Sequence, residues 1–301
     1  MSSVRELGYL GINVSNGDEW KRYASEVVGM EVVDEGEGDR FYLRMDQWHH
    51  RITVHVNGED DLAYVGWRVA DPGEFDDMAK KLKDAGISFK VGTQAQAEER
   101  RVLGLLKLTS PGGIPTEIFF SPQVDTHKPF HPGRPLYGRF LTGDQGIGHC
   151  ILREDDVDAA YKFYKLLGLN GAVEYKLDLP NGMVAQPVFM RCNDRQHSVA
   201  FGLGPMEKRI NHLMLEYTHL DDLGIAYDIV RRRQIDVAIQ MGKHANDQAM
   251  TFYAGNPSGW LWEMGWGART PPTSQEHYRG DIFGHQPEAS GYGMDVALEA
   301  E

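Results

Sequence analysis

Apolar and polar positions alternate in several short stretches of this chain: RFYLRMDQW (from Arg40), HRITVHV (from His50), NHLMLEY (from Asn211) and MTFYAG (from Met250). A period of two is the mark of strands with one buried face. Between such stretches the spacing of apolar residues changes to that of a helix. This occurs at DPGEFDDMAKKLKDA (Asp71 to Ala85) and DDLGIAYDIVRRR (Asp221 to Arg233). Each half of the chain also opens on a strand followed by a helix. The first half has GYLGINV (Gly8 to Val14) and then DEWKRYASEVVGMEV (Asp18 to Val32). The second has GHCILRE (Gly148 to Glu154) and then DVDAAYKFYKLLGLN (Asp156 to Asn170). A glycine stands just past each of these helices, where a left-handed cap costs least.

The halves close alike as well. SPGGIPTEIFF (Ser110 to Phe120) matches NPSGWLWEMGW (Asn256 to Trp266), each a turn, a strand and a glutamate. Such self-similarity indicates duplication. The repeating unit reads as one strand, one helix and about three strands, used four times. The fold class expected is therefore α+β: two similar domains, each of two βαβββ modules whose curved mixed sheet encloses a cavity. The segment from Ser121 to Phe140 carries four prolines and no clear periodicity, so it is the expected linker. We place the N-terminal domain at residues 1–135 and the C-terminal domain at 136–301.

Length agrees with two cores, since 301 residues exceed what one usually holds. A formal charge of -13, with no basic runs, argues against a nucleic-acid partner or an anionic membrane surface and favours small molecules. Cys150 and Cys192 are too few for a disulfide framework and suit a reducing cytoplasm. No segment approaches 18 consecutive apolar residues, and MSSVRELGYLGINVS lacks a secretory apolar run, so a soluble, unprocessed chain is expected.

Three strand positions in the second half require an account. His149 shares a face with Ile147 and Ile151, and His212 with Ile210 and Met214, so both point inward. Glu263 lies on the face of Leu261, between Trp262 and Trp266. A carboxylate buried among apolar groups costs several kcal/mol unless it is paired or bound to a cation. Two imidazoles and one carboxylate from three strands form a facial triad of the kind that holds non-heme Fe(II) with open positions. Each residue alone has a plainer reading. An inward histidine is ordinarily a satisfied core residue, and a buried glutamate can accept from a tryptophan N–H or an arginine.

The stretch beginning at Gly242 then supplies a pattern: Gly-x-His, seven residues, an apolar residue and Tyr, two residues, Asn-Pro-x-Gly, three residues, Glu. It is filled by Gly242, His244, Phe252, Tyr253, Asn256, Pro257, Gly259 and Glu263. This resembles the signature of type I extradiol ring-cleavage dioxygenases of the vicinal oxygen chelate superfamily. The likeness extends from GYLGINV through FHPGRPLYGRF, GDQGIGHC and NHLMLEYTHLDDLG to GDIFGHQPEASGYG. The resemblance implies Fe(II), with Mn(II) accepted by the same donors, held by His149, His212 and Glu263. It implies O2-dependent cleavage of a bicyclic or biaryl catechol such as 1,2-dihydroxynaphthalene or 2,3-dihydroxybiphenyl.

By the same resemblance, His197 stabilises the activated oxygen and donates a proton. His244 and Tyr253 hydrogen-bond the catechol oxygen and help take its proton, Asn246 and Asp247 lie beside them, and Asp247 fixes the His244 ring. Ile151, Phe189 and Ala200 line the aromatic pocket; they could equally be plain core. Symmetric homo-oligomers, up to octamers, are a further implication. In the N-terminal copy Tyr9 falls where His149 does, while Glu117 and His50 echo Glu263 and His197, so the first domain is expected to be a metal-free scaffold. Cys150 points away from the ligands and is given no role. Two other readings remain: a glyoxalase-like metal-dependent isomerase working without dioxygen, and an aromatic-binding module without chemistry.

Overall fold

A computed structural model of the chain describes residues 2–178, 182, 184–270 and 276–292. Two large mixed sheets carry it, one from each half of the sequence. In the first, the strand order is Glu31–Val33, Arg40–Arg44, Ile52–Val56, Glu6–Val14, Asp61–Arg68, Pro115–Pro122, Val102–Thr109 and Phe89–Val91. In the second, reading from the equivalent edge, it is Asn170–Tyr175, Val188–Arg191, Val199–Phe201, His149–Leu152, Ile210–Tyr217, Leu261–Trp266, Met250–Gly255 and Val237–Lys243. The second sheet has one addition, Glu276–Tyr278, paired outside Asn170–Tyr175. The central pairings also correspond. Glu6–Val14 lies antiparallel to Asp61–Arg68 as His149–Leu152 does to Ile210–Tyr217, and in both sheets the latter strand continues into a parallel partner that ends the half. The repeating strand–helix–three-strand unit is thus the observed architecture, with few helices.

The helices form where the apolar spacing places them: Pro72–Asp84, capped by Asp71, Val157–Leu167, capped by Asp156, and Leu220–Arg232. The first helix departs from the regular form. It runs α-helical over Gly17–Arg22 and widens into a π-turn over Tyr23–Val28 before ending at Gly29. Gly29 (φ 97°) and Gly168 (φ 106°) are both left-handed, as their place after a helix end requires. One element carries too few apolar residues to be read from periodicity. It is the helix Gln94–Glu99, whose Thr93 and Gln96 form a reciprocal capping box.

The expected linker is docked along much of its length. The Arg134 guanidinium donates to the carbonyls of Val27 and Asp222, the Asp222 carboxylate accepts from the backbone of Tyr137 and Gly138, and Phe140 is buried against Tyr217. Each half also seats its closing turn on the other. Gly112 of the first turn donates to Glu154, while Ser258 of the second accepts from Trp20 Nε1 at 2.8 Å and donates to Asp60 at 2.6 Å. Trp20 itself packs against Trp260 and Trp262, so the first half presses on the back of the strand that carries Glu263. Cys150 and Cys192 are free thiols.

Candidate metal centre

The three candidate ligands come from three neighbouring strands, because the sheet pairs them in order. His149 stands opposite Met214 in one ladder, Met214 opposite Glu263 in the next, and His212 lies two residues before Met214 on the same face. Their donor atoms converge. His149 Nε2 is 3.1 Å from Glu263 Oε2 and 3.3 Å from His212 Nε2, and His212 Nε2 is 3.2 Å from Glu263 Oε2. Metal–ligand bonds of about 2.1–2.2 Å meeting at 90° set donors about 3.0–3.1 Å apart, so these atoms form one triangular face that suits a divalent cation. The orientation of one ligand is fixed from behind: His212 Nδ1 donates to Asn211 Oδ1 at 2.9 Å, which leaves Nε2 free to ligate.

Electrostatics point the same way. Burial alone would raise Glu263, which is 0% exposed, but the His149, His212 and His244 rings outweigh it and hold the carboxyl well below its usual range. Burial pushes His149 down to about 4, so its ring is neutral and able to ligate near pH 7. Among the described residues the groups close enough to share a cation are this triad and His244, Asp281 and His285.

Beside the triad lies a cavity of about 200 Å³. Ile151, Pro187, Phe189 and Leu203 give it an apolar side, while His197, His244, Asn246 and Tyr253 bring polar atoms to it. The His197 ring is 3.8 Å from that of His149. Its Nδ1 donates to Gln196 Oε1 at 2.5 Å, whereas its Nε2 is buried without a partner, as is Asn246 Oδ1. Unpartnered polar atoms facing a buried cavity are costly unless a ligand meets them. Burial keeps His197 neutral, well below the usual histidine range, so the expected proton donor must first acquire a proton. On the other wall His244 Nε2 lies 2.8 Å from the Tyr253 hydroxyl and 3.2 Å from Glu263 Oε1.

Two expectations need correcting. Asp247 does not hold the His244 ring: its carboxylate accepts from Ala249 N–H within its own turn. The carboxylate on His244 Nδ1, at 3.0 Å, belongs to Asp281. Ala200 is fully buried in the apolar cluster of Ile151 and Phe189 but does not line the cavity: it sits on the strand between theirs, in register with both, and its single methyl falls short of the larger side chains on either side. Besides Asp281, residue-by-residue reading missed His285, Asn211, Gln196 and Thr251. GDIFGHQ carries a carboxylate and an imidazole at spacing four, but nothing local says which strand it meets.

The first sheet offers the comparison. The same register places Tyr9 and Glu117 opposite Gly66, with Tyr64 two residues before it, so Tyr9, Tyr64 and Glu117 occupy the positions of His149, His212 and Glu263. Glu117 accepts from Tyr9 OH at 2.7 Å and from Arg100 Nε and Nη2 at 3.0 and 3.1 Å, and the Arg100 guanidinium lies 3.8 Å over the Tyr64 ring. There the carboxylate finds its cation within the chain.

Known proteins align with this picture. The family model described as Dihydroxybiphenyl dioxygenase BphC D1 matches residues 7–56, and that of the Glyoxalase/Bleomycin resistance protein/Dioxygenase superfamily matches residues 146–264. A biphenyl-2,3-diol 1,2-dioxygenase of Sphingomonas paucimobilis is 73% identical over 298 residues, covering 99% of this chain and 100% of that protein. A 1,2-dihydroxynaphthalene dioxygenase of Sphingobium xenophagum is 71% identical over the same shares of the two chains. Among solved structures, a catechol 2,3-dioxygenase superposes with a TM-score of 0.96 at 66% identity, covering 98% of each chain.

Proposed function

We propose a substrate and a metal for this chain, which belongs to the glyoxalase/dioxygenase superfamily, the vicinal oxygen chelate family, and is an extradiol dioxygenase that opens catechol rings. Within that activity we propose that it cleaves a bicyclic or biaryl catechol, of the 1,2-dihydroxynaphthalene or 2,3-dihydroxybiphenyl type, with both atoms of O2 entering the product. We propose Fe(II) as the metal, held by His149, His212 and Glu263, with Mn(II) the alternative for the same donors. The convergence of those three donors beside an apolar cavity carries the reading. The names of the relatives support the substrate class.

Bound there, the metal lowers the pKa of a catechol hydroxyl and brings catechol and dioxygen together, which no side chain of the site can do. The chain's own groups do the rest. Ile151, Phe189 and Leu203 take the aromatic body and exclude water from the reacting oxygens. His244, with Nδ1–H directed at Asp281, sets its Nε2 beside the Tyr253 hydroxyl, so the two can hydrogen-bond a catechol oxygen and relay its proton. His197 lies against His149, whereas His244 lies against Glu263. The free Nε2 of His197 can take a proton and return it to a reacting oxygen. The first half acts as a structural copy that buttresses the second through Trp20.

The test is anaerobic loading with iron, then addition of each catechol with an oxygen electrode and mass spectrometry of the product from labelled dioxygen. Stoichiometric oxygen uptake with two labelled atoms per product is expected. Turnover without dioxygen, or a loaded protein inert toward both bicyclic and biaryl catechols, would remove the reading.

A further inference from the structure

The last described segment runs back along the outer strand of the second sheet. Ile282 N–H donates to Lys243 O and Lys243 N–H to Phe283 O, both at 2.8 Å; Gln240 N–H donates to Gln286 O and Glu288 N–H to Ala238 O, both at 2.9 Å. The strand accommodates this strap at one residue. A Cβ on Gly242 would lie 2.5 Å from the ring and backbone nitrogen of His285. The glycine at the head of the Gly-x-His motif is thus needed for space, where the strap crosses two residues from His244.

The strap brings in a carboxylate divided between two imidazoles. Asp281 Oδ1 is 3.0 Å from His244 Nδ1, and Oδ2 is 2.7 Å from His285 Nδ1. The two rings lie against each other, tilted by 41° with centroids 4.2 Å apart. His285 is anchored in turn through Nε2, which lies 3.0 Å from Thr251 Oγ1 and 3.2 Å from Thr251 O. An ionised carboxylate only accepts, so both Nδ1 atoms carry their protons toward Asp281, and the His244 ring is turned so that its Nε2 faces the Tyr253 hydroxyl and Glu263 Oε1. Both carboxylate oxygens are already engaged by imidazole N–H groups, so this cluster is satisfied without a second cation.

We propose that Asp281 and His285 are positioning residues for the ring-cleavage site: the strap's carboxylate fixes the orientation of His244 by holding its Nδ1–H, and the His285 ring holds that carboxylate in place. The inference rests on the catechol-cleavage reading above. It assigns a role to a segment that follows every metal ligand in sequence.

The experiment compares iron-loaded wild type with Asp281→Asn, Asp281→Glu and Gly242→Ala. Asparagine keeps the shape but offers an N–H to one of the two rings. Asp281→Asn should lower kcat by about 10–100-fold, the usual effect of losing an orienting partner, with iron content and anaerobic catechol affinity unchanged. Asp281→Glu should recover part of the loss. In the metal-free protein, nitrogen NMR should find His244 Nδ1 protonated and hydrogen-bonded in the wild type, and that signal altered in Asp281→Asn. Gly242→Ala should displace the strap, exposing the Lys243 amide to exchange, and lower kcat likewise. An Asp281→Asn enzyme with wild-type kcat or an unchanged His244 Nδ1 signal would overturn the proposal. So would full activity in Gly242→Ala with the strap released, or loss of activity in Asp281→Asn only in step with lost iron. An iron-loaded wild type inert toward catechols would instead defeat the parent reading, and the Nδ1 measurement would still report on the pairing.

Discussion

Replacing Arg100 by alanine isolates the charge at the centre of the first sheet. Glu117 is 1% exposed and accepts three hydrogen bonds, two from Arg100 and one from Tyr9. Alanine removes two of them together with the cation, leaving a carboxylate under aromatic rings with one phenol for company. Breaking a buried pair in this way costs about 3–5 kcal/mol. At roughly 2–4 °C per kcal/mol for domains of this size, the first unfolding transition should fall by about 6–20 °C. The control is the double variant Arg100→Met/Glu117→Leu, which removes both charges and keeps most of the volume. Apolar replacement of a buried pair is often neutral, so it should recover nearly all of the loss. Thermal and urea unfolding read the stability, and iron per chain with kcat reads the second sheet, where both should stay at wild-type values. A single variant costing under about 1 kcal/mol, or a double variant as unstable as its two singles summed, would refute the claim that the guanidinium replaces a metal's charge.

Three further outcomes follow from the same geometry. His212→Ala should lose the metal, whereas His197→Ala should keep metal and catechol binding but lose most turnover; equal iron content in both, by elemental analysis, would contradict the ligand assignment. Trp20→Ala should cost about 3–5 kcal/mol, and it should also weaken metal binding because Trp20 backs the strand of Glu263; normal metal affinity in a destabilised variant would separate the two effects. Burial alone would raise Asp281, but His244 and His285 outweigh it and hold its folded-state pKa below the unfolded value of about 3.9. Its contribution is therefore complete above that pH and disappears as pH falls through the lower folded value, so protection of the Lys243 amide should hold from pH 8 to 5 and drop below about pH 4; constant protection to pH 2 would count against the bridge.

Much of this was legible in the sequence, and the boundary is physical. Strand and helix periodicity gave the repeating unit because each element buries one face, and duplication made every reading checkable in the other half. The triad followed because strand alternation fixes which side chains share a face. Position along one strand does not say which distant segment lies beside it, and the misassignment at Asp247 arises there. That residue is close to His244 in sequence and turned into its own loop, whereas Asp281, 37 residues from His244, reaches it along the sheet edge. Arg100 was missed for a similar reason. It caps a helix of six residues with no apolar period, and its partner Glu117 lies on a strand it meets only in three dimensions.

The two halves therefore solve one problem in two ways. Both folds close a strand pair around an inward glutamate, which water cannot reach and which must meet a positive charge. In the second sheet imidazoles from the adjoining strands leave room for a divalent cation and for what binds beside it. In the first sheet tyrosines at those positions fill the space, and an arginine from the following helix end delivers its charge from within the chain. A guanidinium occupies its own coordination space with carbon and nitrogen, so nothing else can bind there, and the first site gains permanence at the expense of chemistry. That permanence has a use. Trp20 of the first half packs against Trp260 and Trp262, so a rigid first sheet holds the strand on which Glu263 must meet two histidines to within a few tenths of an ångström.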